Sequence, residues 1–238
     1  MQPYAAMEID APVRERPPGS IRLAWWCVLV AAIASLNYIS RFASSSSASS
    51  SRDEVYSWSG FAGGIIFYAL WLVLLLAIAV DRTDLLALRR PRSWPRAAGL
   101  ALAAIGVIYA VSAVVSAIPL PQSPSKEQGL TPTHWEPRHA AAFAANVVLF
   151  AVVAPFVEEL MFRGVGQSLL QFLGRWPSIV AVGVLFGVTH GLLEALLVLV
   201  PFGIALAYVR DRTNSVYPGM VVHALFNGAA LALSVISF

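Results

Sequence analysis

The sequence predicts an all-α fold, a polytopic transmembrane helical bundle of about seven spans, and three observations carry that prediction. Of 238 residues 58% are hydrophobic and only 12% charged, with a mean hydropathy of +0.71, far from the make-up of a water-soluble domain. The charges cut the chain into long uncharged runs at 23–40, 55–80, 97–125, 140–157, 176–193, 195–209 and 213–238. Every run but the short sixth meets the lower limit of roughly 17 residues for crossing the hydrocarbon core as a helix. None alternates apolar and polar residues as a membrane β-strand must.

Residues 1–20 read as a polar tail containing Pro3, Pro12, Pro17 and Pro18. The run beginning at Leu23 lacks the short apolar stretch and small-residue cleavage site of a signal peptide, so it reads as a retained first span. Cys27 is the only cysteine, which excludes an internal disulfide and a cysteine-based metal cluster. Residues 44–51 are serine interrupted only by Ala48, a flexible external loop. The second span opens with Gly60 and Gly64, spaced for a close helix contact. Arg89, Arg90, Arg92 and Arg96, with Pro91, Trp94 and Pro95, read as an anchor at the inner surface. The third span ends at Pro119, Pro121 and Pro124, and the segment through Pro132 and Pro137 reads as an external loop.

With the N-terminus inside, the inner segments hold Arg14, Arg16, Arg22, Arg82, Arg89, Arg90, Arg92, Arg96, Arg163, Arg175, Arg210 and Arg212, against Arg41, Arg52, Lys126 and Arg138 outside. That asymmetry places the N-terminus in the cytoplasm and the C-terminus outside a plasma (inner) membrane. The pI near 9.3 then reflects topology, and nucleic-acid binding has no place in the account.

Composition shifts at His139. The earlier apolar runs hold no carboxylate and no histidine, whereas the chain beyond holds Glu158, Glu159, His190, Glu194 and His223. Ionisable groups at membrane depth cost roughly 2.5–3.5 kcal/mol each and by default mark a functional site. On a helix Glu159 and Arg163 stand at i and i+4 with the acid first, the better order for an ion pair, while Glu158 points about 100° away. Gly183, Phe186, Gly187 and His190 share one face, where glycines let another backbone approach. His223 and Asn227 again stand at i and i+4, and both can donate to developing negative charge.

Each feature has a plainer reading. Glu159 with Arg163 is also a helix-end ion pair, His190 a histidine bonded to a carbonyl, and His223 with Asn227 a polar contact between helices. Glu194 sits at a turn and reads as interfacial, although its i, i+4 relation to His190 also suits a metal.

In combination, Glu158-Glu159-x-x-x-Arg163, Phe186-x-x-x-His190 and His223-x-x-x-Asn227 on successive apolar runs resemble the CAAX protease and bacteriocin-processing family of intramembrane endopeptidases, which includes the type II CAAX prenyl proteases. The likeness covers about 140–238 and divides the chain into the tail 1–20, helices and loops over 21–138, and a catalytic helical core over 139–238. It implies that Glu158 and His190 activate water, that Glu159 and Arg163 support the site, and that His223 and Asn227 stabilise the oxyanion. No cofactor is expected; the alternative is zinc held by Glu158, His190 and His223. The expected partner is a membrane-associated peptide or protein, prenylated or not, within the lipid bilayer. A non-catalytic immunity or scaffolding protein is the reading from a different class.

Other protease chemistries lack their residues. There is no His-Glu-x-x-His, no aspartate within a span for an aspartyl pair, and no nucleophile-elbow serine. One conflict remains. If the fifth span starts at Trp176, His190 lies about 21 Å deep, whereas Glu158 and His223 fall nearer the inner surface. Either the fourth helix breaks between Pro155 and Gly166, giving eight helices, or it is long, tilted and runs on to about Leu173.

Overall fold

The computed structural model describes residues 19–44, 54–120, 132 and 135–236. The polar tail to residue 18, the serine tract over 45–51, and Arg52, Pro121, Pro124 and Lys126 lie outside the described residues. All regular structure among the described residues is helical, in seven helices: α1 (Ser20–Ser44), α2 (Trp58–Ile78), α3 (Trp94–Ser116), α4 (Pro137–Leu173), α5 (Arg175–Thr189), α6 (Leu196–Thr213) and α7 (Tyr217–Ile236). Five of them, α1 to α4 and α7, are long and apolar enough to cross a membrane. Their outward faces carry exposed Trp25, Leu70, Val73, Leu102, Val114 and Leu225, a belt of apolar side chains suited to lipid rather than water.

Local chemistry sets the helix ends. Ser57 accepts a hydrogen bond from Gly60 N at 3.1 Å and starts α2, and Ser93 caps α3 with Pro95 in its first turn. Asn214, at φ +54°, ends α6; a left-handed residue that a carboxamide tolerates turns the chain at once toward α7.

Successive helices alternate in direction, and cross-contacts fix the register. The start of α1 lies by Leu169 and its far end by Gly191 and Glu194. Arg163 reaches Gly203 O and Gln167 reaches Ala207 O, so α6 runs parallel to α4. Gly183 and Gly187 pack on Gly203, Ile204 and Val200 of the antiparallel α6, the close backbone approach expected of that glycine face. The expected contact of Gly64 is made with the Leu149 side chain of α4.

Helix α4 settles the conflict left by the sequence. It runs unbroken for 37 residues to Leu173, so seven helices replace eight and no break falls between Pro155 and Gly166. Two widened, π-type turns at Leu149–Val153 and Leu160–Gly166 absorb the strain instead. Pro155 lacks an N–H and its ring crowds the carbonyl of Ala151, which lies inside the first wide turn. Gly164 and Gly166 sit in the second, where a Cβ would meet the Leu86 backbone and the Trp26 ring respectively. Glu158 is then 15 residues before the end of α4, and His190 stands 15 residues after Arg175 opens α5. At about 1.5 Å per residue both lie some 22 Å from that turn. The placement of Glu158 near the inner surface is thereby corrected: the span does not stop at Arg163 but continues for another ten residues.

Candidate active site

Glu158 and Glu159 occupy the stretch of α4 between the two wide turns, and both are buried. They part as their 100° separation requires. Glu159 faces Arg163, whose Nη1 donates to Glu159 Oε1 at 2.8 Å, with both side chains fully buried. The guanidinium also donates to Gly203 O at 3.1 Å and lies 4.3 Å above the Phe186 ring. Three kinds of contact therefore hold one cation inside the bundle.

Glu158 turns toward the histidines. Its Oε2 stands 3.9 Å from His190 Nε2 and 3.8 Å from His223 Nε2. The other nitrogen of each ring is already used. His190 Nδ1 donates to Phe186 O at 2.7 Å, and since a carbonyl only accepts, Nε2 of the neutral ring carries the lone pair. His223 Nδ1 donates to Glu159 Oε1 at 3.2 Å, so its Nε2 donates only as the imidazolium. Phe186, fully buried, packs against both imidazoles, with ring centroids 4.7 Å from His190 and 5.7 Å from His223.

Asn227 lies one turn beyond His223, and its Nδ2 donates to Phe150 O at 2.9 Å, a carbonyl in the first wide turn. One amide hydrogen is thus committed and the second remains. Glu158, His190, His223 and Asn227 together line a cavity of about 200 Å³ whose other walls are mainly apolar, among them Leu192, Leu199, Phe202 and Phe226. The six candidate residues come together as two layers: Glu159 with Arg163 behind, the other four at the cavity.

Glu194 does not join them. It sits between α5 and α6, 3.7 Å from Arg41 of α1. Among the described residues no group of three or more His, Cys, Asp or Glu side chains is arranged to hold a metal ion. Chelation of the purified protein decides the zinc alternative on Glu158, His190 and His223.

Two residues at the site were not singled out in the sequence. Tyr68 of α2 donates to Glu158 Oε1 at 3.0 Å. Asn37 of α1 donates to Thr189 O at 2.6 Å and lines the cavity. The available signal was a carboxamide and a phenol each set in the interior of an apolar span, where polar groups seek partners on neighbouring helices.

Residues 140–229 match the family model described as type II CAAX prenyl endopeptidase Rce1-like. This segment is similar to that family. It spans α4 from Ala140 through α5 and α6 to most of α7, and takes in all six candidate residues. The chain matches no curated protein and no solved structure. The Rce1-like core, joined to α1, α2 and α3, makes this an integral membrane protein.

Proposed function

We propose that the Rce1-like core is an intramembrane endopeptidase that hydrolyses a peptide bond of a membrane-associated protein or peptide. The observation that supports this best is the convergence of two imidazole nitrogens on one oxygen of a buried carboxylate at a cavity wall.

A water seated between Glu158 Oε2 and His190 Nε2 gives one hydrogen to each. Glu158 takes a proton from it as the oxygen attacks the scissile carbonyl, a task for a general base within hydrogen-bond reach. The carbonyl oxygen becomes an oxyanion that accepts from Asn227 Nδ2 and from His223 Nε2–H, a preorganised pair at the cavity wall. His223 Nε2 offers that hydrogen as the imidazolium, with Glu158 and Glu159 on either side of the ring. Glu158 then passes its proton to the leaving amine, the C–N bond breaks, and the base is restored. Glu159 acts behind the site, holding His223 by Nδ1 and being held by Arg163.

The substrate class follows from the setting: a peptide segment that enters the bilayer, with a prenyl chain or an apolar side chain to occupy the Leu192, Leu199, Phe202 and Phe226 wall. Arginine distribution supports a plasma-membrane protein with a cytoplasmic N-terminus and an external C-terminus.

The test is cleavage of a quenched fluorescent peptide library, in prenylated and unmodified forms, by purified protein in detergent. Wild type is compared with Glu158→Gln, with and without a chelator. Cleavage by wild type alone, unaffected by chelation, is the expected result. Loss on chelation with rescue by zinc would establish the metal-dependent mechanism. Equal behaviour of wild type and Glu158→Gln in cells and in vitro would favour a non-catalytic binding protein.

A further inference from the structure

Glu158 has two oxygens, and the proposed chemistry uses only Oε2. The other, Oε1, accepts the Tyr68 hydroxyl at 3.0 Å. Tyr68 belongs to α2, outside the segment that matches the family. The contact is braced on both sides. The Tyr68 ring stacks on Trp71 at 5.5 Å and 14° and meets Phe67 edge-on at 5.4 Å. Trp71, one turn along α2, donates to the Met161 sulfur, nearly one turn along α4 from Glu158. Two side chains three residues apart on α2 thus grip two side chains three residues apart on α4, which fixes the register of the two helices at the carboxylate. Gly64 admits the Leu149 side chain and lets α2 lie close along the same helix.

A carboxylate on a glutamate has three torsions to settle, and a base held within a few tenths of an ångström works better than one that samples several rotamers. The phenol can only donate to an ionised carboxylate. It therefore selects the orientation in which Oε1 faces α2 and Oε2 faces the two histidines.

We infer that Tyr68 is a positioning residue for the Glu158 base, holding Oε1 by its hydroxyl so that Oε2 is presented to the water between Glu158 and His190. The inference rests on the peptidase reading above. It also gives α2 a part in the reaction although no family motif lies there.

The experiment measures kcat and KM on the best library peptide for wild type, Tyr68→Phe, Tyr68→4-aminophenylalanine and Glu158→Gln, with thermal unfolding of each in the same detergent. Tyr68→Phe keeps the ring and its stacking on Trp71 and deletes only the donor. It is expected to lose roughly 10- to 100-fold in kcat, the worth of one hydrogen bond to a charged group, with KM and the unfolding midpoint unchanged. The aromatic amine restores a donor at the same place and should recover most of that loss. Wild-type kcat in Tyr68→Phe, with Glu158→Gln inactive, would overturn the role of Tyr68 and leave the peptidase reading standing. A fall in kcat matched by a fall in the unfolding midpoint, and not rescued by the amine, would assign Tyr68 to packing and overturn its positioning role. Turnover retained by Glu158→Gln would instead overturn the peptidase reading, and the role of Tyr68 with it.

Discussion

Replacing Arg163 by methionine tests the buried layer of the site most directly. The substitution keeps an unbranched side chain on α4 and removes the charge. It deletes the 2.8 Å bond to Glu159, the 3.1 Å bond to Gly203 O and the contact over Phe186. What remains is a fully buried carboxylate with, among the described residues, His223 Nδ1 as its one other hydrogen-bond partner. Breaking a buried ion pair by removing one partner costs about 3–5 kcal/mol. An independent route, the insertion cost of one unpaired ionisable group at membrane depth, gives about 2.5–3.5 kcal/mol. Both agree near 3 kcal/mol, a shift of roughly 100-fold in the folded-to-unfolded ratio and a large part of a total stability of about 5–15 kcal/mol. Reversible unfolding in mixed micelles, titrated with a denaturing detergent, reads the change. Glu159→Gln combined with Arg163→Met removes both charges and should recover at least half the loss. If Arg163→Met unfolds within about 0.5 kcal/mol of wild type, the electrostatic reasoning is wrong and the pair is solvated in the membrane.

Glu158→Gln should leave the protein folded in the membrane and lower kcat by at least about 10²-fold, read by single-turnover cleavage. Asn227→Ala should lower kcat by roughly 10²-fold, as loss of an oxyanion donor does, with a much smaller change in KM. Gly203→Ala would bring a Cβ within 2.6 Å of Gly183 O, and forcing α5 from α6 should cost about 1–3 kcal/mol in the same unfolding titration. Trp26→Phe should cost about 0.5–1.5 kcal/mol, the net worth of the buried hydrogen bond that Trp26 Nε1 donates to Met161 O at 3.0 Å.

The helical membrane class and the residues around the cavity were legible in the sequence, and for the same reason. In lipid a charged or strongly polar side chain is an exception that needs a partner, so Glu158, Glu159, Arg163, His190, His223 and Asn227 stood out from their apolar runs. The i, i+4 spacings were equally readable, because a helix fixes which side chains share a face. Depth was not. Counting from the first charged residue takes Glu158 and Arg163 for the edge of a span, when the pairing of Arg163 with Glu159 and of Glu158 with Tyr68 lets α4 carry these charges through the interior and on to Leu173. The widened turns that replace the expected break were hidden as well. Pro155 and the glycines marked where the helix departs from regular geometry, but the choice between breaking and widening depends on tertiary partners. Those partners include the Leu86 backbone against Gly164 and the Trp26 ring against Gly166.

The same dependence explains why α1 and α2 matter to a site whose recognisable motifs all lie beyond residue 140. Trp26 donates to Met161 O inside the second wide turn, Asn37 to Thr189 O beside His190, and Tyr68 to Glu158 itself. Each supplies one hydrogen to an acceptor on the motif-bearing helices. In water such acceptors would be satisfied by solvent, but the hydrocarbon core offers none, and an unpaired group there costs several kcal/mol. The requirement is for a donor at a given depth and not for a given residue, and an indole, a carboxamide and a phenol all meet it. Several donor types would serve in α1 and α2, whereas on the proposed mechanism Glu158 and His190 must keep their chemistry. A family pattern built on residue identity will find the second set and pass over the first, although the cavity needs both to hold its shape.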